Sequence, residues 1–103
     1  MNRQERWQFE QITDSWDVQN EALDFIHFYS VGKMSKEQIQ QDIVMTDKQE
    51  QMAQVEFPGR QKTIRAIKRR RWQTWAAIAF AMNWDAGIPP NITLIRTKKV
   101  AAA

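Results

Sequence analysis

Seven cations fall within twelve residues, at Arg60, Lys62, Arg65, Lys68, Arg69, Arg70 and Arg71, and Trp72 follows them directly. Guanidinium and ammonium groups at this density are suited to phosphate. They neutralise a nucleic-acid backbone, release its counterions and bind without reading base sequence. A tryptophan beside them offers a flat face on which an unpaired base can stack. Lys98 and Lys99 add a second, smaller basic site near the end of the chain. These are the expected nucleic-acid contacts, with DNA ranked ahead of RNA. The plainer reading of the same run is a solvated face that neutralises acidic residues elsewhere, through exposed pairs of about 0–1 kcal/mol each.

Other chemistry is poorly represented. His27 is the only histidine and sits inside the apolar segment FIHFY, with Asp24 three residues before it. A general base needs a second positioned group, and nothing in the sequence places one, so His27 reads as a core or boundary residue. Asp14, Asp17, Glu21 and Asp24 recur at helical spacing and could touch a cation, but a solvated acidic face is the simpler account. No glycine-rich phosphate loop, HExxH or paired-carboxylate motif occurs. The absence of cysteine excludes thiolate metal sites, cysteine nucleophiles and disulfides, and is compatible with a reducing cytoplasm. The expectation is a protein that is not an enzyme and has no catalytic residue, metal or cofactor.

The net charge of +3 conceals a polarised chain. Residues 1–57 hold five Lys or Arg against eleven Asp or Glu, net −6, whereas residues 58–103 hold ten against one, net +9. Such a division calls for an external anion on the basic half or neutralisation of one half by the other. At 103 residues the chain suits one compact domain. The N-terminus lacks a signal-like apolar core, and the longest uncharged run, residues 72–84, falls short of the roughly 20 residues of a membrane span. A soluble, cytoplasmic protein is expected.

The elements that must position the basic run follow from caps and apolar spacing. Residues 3–12 suggest a short helix around Trp7, Phe9 and Ile12. Asp14 or Ser15 can cap a second helix with two stripes, Trp16, Leu23 and Ile26, and Val18, Ala22, Phe25 and Tyr29. A strand over residues 23–31 is the competing reading, weakened because Asp24 and Ile26 would share a face. Gly32 closes that element, and Ser35 with Gln38 forms a capping-box pattern ahead of Ile39, Ile43 and Val44. Thr46 or Asp47 either caps a further helix, with Asp47 and Glu50 at cap spacing, or lies inside a continuing one.

Phe57, Pro58 and Gly59 punctuate the chain where its charge changes sign. Beyond them Ile64, Ile67, Trp75, Ile78 and Met82 lie on one helical face, which predicts a long helix ending near Asn83 with Lys62, Arg65 and Arg69 turned away from the core. Residues 84–90, with Pro89 and Pro90, form a loop, and NITLIRTKK reads as a short β-strand or extended arm. The fold expected is mainly α, a small bundle of three to five helices with that arm appended.

Residues 74–88 resemble the first part of a helix-turn-helix, with small Ala79 at the helix crossing, Met82 in the core and Asn83 at the turn. The resemblance implies a second helix entering the DNA major groove, but Pro89 and Pro90 stand in the middle of that recognition helix. Two further classes complete the set. A protein-interaction or assembly subunit would use Trp16 or Trp84 as an anchor, either on a partner or on a second copy of the chain. A membrane-surface helix, suggested by arginines flanking an apolar run, ranks last because that run follows the basic cluster rather than opposing it around the helix. Of the five tryptophans Trp75 is assigned to the core and the other four are left open. The leading expectation is a small regulatory or accessory nucleic-acid-binding protein.

Overall fold

The computed structural model describes residues 1–13 and 15–94. Within them the chain is mainly α, with five helices and no strand: α1 (Arg3–Thr13), α2 (Trp16–Ser30), α3 (Lys36–Ile43), α4 (Asp47–Glu56) and α5 (Gln61–Met82). Each of α1 to α4 packs against α5, and α1 also packs against α2. The long last helix is thus the axis of the bundle.

The caps set the boundaries. Ser15 opens α2 by accepting a hydrogen bond from the Val18 backbone. Ser35 and Gln38 form the expected capping box at α3, with bonds of 2.8 and 3.2 Å. At α4 the reciprocal pair is Thr46 with Gln49, at 2.9 and 3.1 Å, rather than Asp47 with Glu50. Each arrangement satisfies two backbone N–H groups that a helix start leaves unpaired. Gly59, at φ 85°, turns the chain between α4 and α5. Asn83 closes α5 in the left-handed conformation, donating its N–H to Ala79 and Phe80.

The core gathers Phe9 and Ile12 from α1, Ala22 from α2, Ile39 and Ile43 from α3, and the α5 segment 72–78. Every residue from Trp72 to Ala79 is buried, so this half of α5 is enclosed all round. Its alanines allow close approach of the surrounding helices. Its polar members find partners: Gln73 donates to the Ile12 carbonyl of α1 at 2.6 Å, and Thr74 to the Arg70 carbonyl one turn earlier at 3.1 Å.

Several expectations change on contact with the fold. Both stripes on α2 reach the core, with Val18 and Ala22 buried and Leu23, Phe25 and Ile26 packed against it, but Trp16, which heads one of them, is 73% exposed. Ile67, expected in the core stripe of α5, is 41% exposed, whereas Ile64 and Lys68 on either side of it are buried. His27 is on the solvent side of α2 with Asp24, not in the core or at its boundary. Val44 follows α3 as its extended C-cap instead of lying on its apolar face.

No recognition helix follows α5. Residues 84–94 are non-helical and fold back over the core, where the Ala86 carbonyl accepts the Trp75 indole N–H at 2.8 Å. Trp84 packs on Trp75 at 6.0 Å and on Tyr29 at 4.9 Å between ring centroids. Ile88, Ile92 and Leu94 pack against the same core. The helix-turn-helix resemblance therefore ends with α5, as the two prolines require. Residues 91–94 are not a strand, and the rest of the expected arm, residues 95–99, lies outside the described residues, as does Asp14.

Candidate nucleic-acid interface

The first half of α5 divides its cations between two adjacent stripes, and the fold treats them differently. Lys68, Arg71 and Trp72, at positions i, i+3 and i+4, face the α3–α4 connection. The Lys68 side chain is drawn inward, with the residue only 4% exposed, and its ammonium is held by Asp47 and, at 3.1 Å, by Glu50. Arg71 donates to the Ile43 carbonyl at 3.2 Å, at the C-terminus of α3, where a cation complements the helix dipole. The Trp72 indole donates to the Met45 carbonyl at 3.2 Å and is itself buried.

This corrects two of the expected contacts. Lys68 and Trp72 are structural: one is neutralised beneath the surface, and the other has no face free for a base. Burial would lower the Lys68 pKa, but hydrogen bonds from its ammonium to Asp47 and Glu50, with their charges, outweigh it and hold the group above its ordinary value of 10.5. The hydrogen bond and charge of Lys68 hold Asp47 below the ordinary carboxylate value of 3.8, with Asn91 adding a further hydrogen bond.

The second stripe is Lys62, Arg65 and Arg69, at i, i+3 and i+7. These residues are exposed, and none has a carboxylate partner among the described residues. They line a cleft of about 660 Å³ together with Ala66, Asn91, Ile92, Thr93 and the Lys68–Glu50 ion pair. At about 1.5 Å of rise per residue the three cations span about 10 Å of helix axis. Arg60, at the start of α5, is also exposed and makes no side-chain capping bond. No acidic residue occupies the first turn. Cations there oppose the helix dipole, an arrangement that a bound anion relieves.

Arg70 lies between these extremes. It faces Asp17 on α2 at 3.8 Å, with both side chains more than half exposed, so the pair is loose and solvent-screened. A second depression of about 270 Å³, lined by Thr13, Ser15, Arg70 and Gln73, adjoins the first: Ala66 and Arg69 border both. Lys98 and Lys99 lie outside the described residues.

Sequence reasoning missed the acidic clamp on Lys68. Its signal was present in the two cap-spaced pairs, Thr46/Gln49 and Asp47/Glu50, since only one can cap α4 and the other is left for other work. It left the exposure of Trp16 open, because an aromatic at the first position of a helix carries no periodicity that says which way it faces. Among the described residues no helix is long and apolar enough to cross a membrane, and no group of three or more His, Asp or Glu is arranged to hold a metal ion. Comparison with models of known protein families, with curated proteins and with solved structures finds no match to this chain.

Proposed function

We propose that the chain binds nucleic acid through phosphate contacts made by Arg60, Lys62, Arg65 and Arg69, with Arg70 joining when it leaves Asp17. The observation that carries this reading is the unpaired stripe Lys62, Arg65 and Arg69 lining a cleft. The chain has acidic residues to spare, and the fold uses two of them on Lys68, one helical position away from Arg69. Had internal neutralisation been the purpose of the basic run, this stripe would be the first to need it. A solvated row of cations at fixed spacing attracts a polyanion and releases its counterions on contact.

The test is fluorescence anisotropy of labelled nucleic acid over a range of salt. Log affinity should fall linearly with log salt, and Arg65→Ala and Arg69→Ala should each reduce the slope by about one phosphate's worth. Lys68→Met should leave the slope unchanged. Binding that is absent at low salt, or insensitive to Arg65 and Arg69, would remove the proposal.

A second reading, self-association, is favoured by α4. This helix has no buried residue and leaves Met52 62% and Val55 83% exposed while Asp47 and Glu50 are turned to Lys68 of α5. A sedimenting mass above one chain that reverts to monomer in Val55→Lys supports self-association, and a monomer at all concentrations removes it.

A further inference from the structure

We infer that the strand bound is single, and that Trp16 stacks on one of its bases. This rests on the phosphate-contact reading above and adds the class of nucleic acid and a residue that the basic stripe does not contain. The two depressions beside α5 share Ala66 and Arg69, so they meet across the helix at a methyl side chain. A strand crossing α5 over Ala66 and Arg69 would run from Asn91–Thr93, past Arg65, to the corner between α1 and α2. The far end of that path is bordered by Ser15 and Arg70.

Trp16 stands at that corner. It lies between Ser15, which borders the depression while capping Val18 at 3.3 Å, and Asp17, which faces Arg70 at 3.8 Å. With 73% of its surface in water it is the most exposed tryptophan of the chain, and nothing in the core packs on it. Trp72, the aromatic that adjoins the basic run in sequence, is enclosed and engaged with Met45. Trp16 lines neither depression itself, but it is the open aromatic beside Ser15, which borders one of them, and Asp17, which faces Arg70.

An indole in this position is of use to one kind of nucleic acid. Bases in a duplex are stacked on each other and present only edges and backbone, whereas bases of a single strand have open faces that an aromatic side chain can cover. A strand lying along the path would place phosphates on Lys62, Arg65 and Arg69 and turn a base onto Trp16. Its nearest phosphate would compete with Asp17 for Arg70, and the loose geometry of that pair makes the exchange cheap.

The experiment is anisotropy of short labelled oligothymidylate, oligouridylate and a duplex of equal length, with the wild-type chain, Trp16→Ala, Trp16→Phe and the Arg65→Ala/Arg69→Ala double variant. Both single strands should bind more tightly than the duplex at equal salt, and the ratio between them ranks DNA against RNA. Trp16→Ala should lose about 5- to 150-fold in single-strand affinity with an unchanged salt slope. Trp16→Phe should retain most of the affinity. Because Trp16 is exposed, circular dichroism and thermal midpoint of Trp16→Ala should match the wild type. A duplex bound as tightly as the single strands would overturn the inference. So would Trp16→Ala binding normally while the arginine variant does not, which leaves phosphate contact standing. No binding to any probe would bring down both.

Discussion

The two halves of α5 share one helix and little else. From Trp72 to Ala79 the helix is buried on every side, and its fate is decided by volume and by the few polar atoms that must find partners. From Gln61 to Arg71 it is mostly exposed, and its fate is decided by charge. Within that exposed half the contrast sharpens to neighbours: Lys68 is clamped by two carboxylates from α4, and Arg69 has none among the described residues. Density of charge in a sequence therefore says little about which charges are available. What decides availability is whether the opposite helix brings a carboxylate to that position.

Substitutions in the two halves should separate stability from binding. The largest effect belongs to Trp75→Ala, which empties a site 1% exposed and breaks the indole bond to Ala86; it should cost about 3–5 kcal/mol in denaturant unfolding. For a domain with about 5–15 kcal/mol in total, that is a large share of its stability. A chain that tolerated the change would show that the buried half does not hold the bundle together. Next, Lys62→Ala/Arg65→Ala/Arg69→Ala should reduce the salt slope of nucleic-acid binding by about two to three, while each single change leaves stability within about 0.5 kcal/mol. A collapse of stability in that triple variant would erase the distinction between the halves.

Thr46→Ala removes one side of the α4 capping box and should lower stability by about 1 kcal/mol. It should leave affinity untouched, since Thr46 borders neither depression. The smallest effect is a matter of pH. Asp47 is held below its ordinary value by Lys68, so its contribution is present above the unfolded carboxylate range and is lost as pH falls through the folded value. Lys68 is held above its ordinary value, so its contribution is present below the unfolded lysine range and is lost as pH rises through the folded value. Between these limits the pair should add a constant amount. Asp47→Asn should flatten the acid limb of a thermal-midpoint profile, and an unchanged limb would mean that the clamp does not couple to folding.

Much of the architecture could be read beforehand because its causes are local. Caps at Ser15 and Ser35, the break at Phe57–Gly59 and the stop at Asn83 each depend on a few adjacent residues. The strand reading of residues 23–31 fails, since α2 continues to Ser30. What could not be read depends on distant parts of the chain. Lys68 meets partners 18 and 21 residues earlier, and Trp72 meets a carbonyl 27 residues earlier. Trp16 and Trp72, both left open by the sequence, are told apart for the same reason, since only the assembled fold leaves one indole in water and closes the other beneath the α3–α4 connection. Of the candidate site, Lys62, Arg65 and Arg69 were legible from helical spacing, and the cleft beside them was not.

The position of α5 as the last helix among the described residues has a consequence for how the molecule is made. Apart from the contact between α1 and α2, the earlier helices find their main partner only in α5. At about 5–20 residues per second, a ribosome takes several seconds to produce everything ahead of it, and throughout that time Phe9, Ile39 and Ile43 have no core to enter. Short helices of 8 to 15 residues are marginal in isolation, so the nascent chain should remain largely unstructured until Trp75 and Ile78 leave the exit tunnel. Its acidic, glutamine-rich first half suits that interval, because like charges hold an unfinished chain open and soluble until its axis arrives.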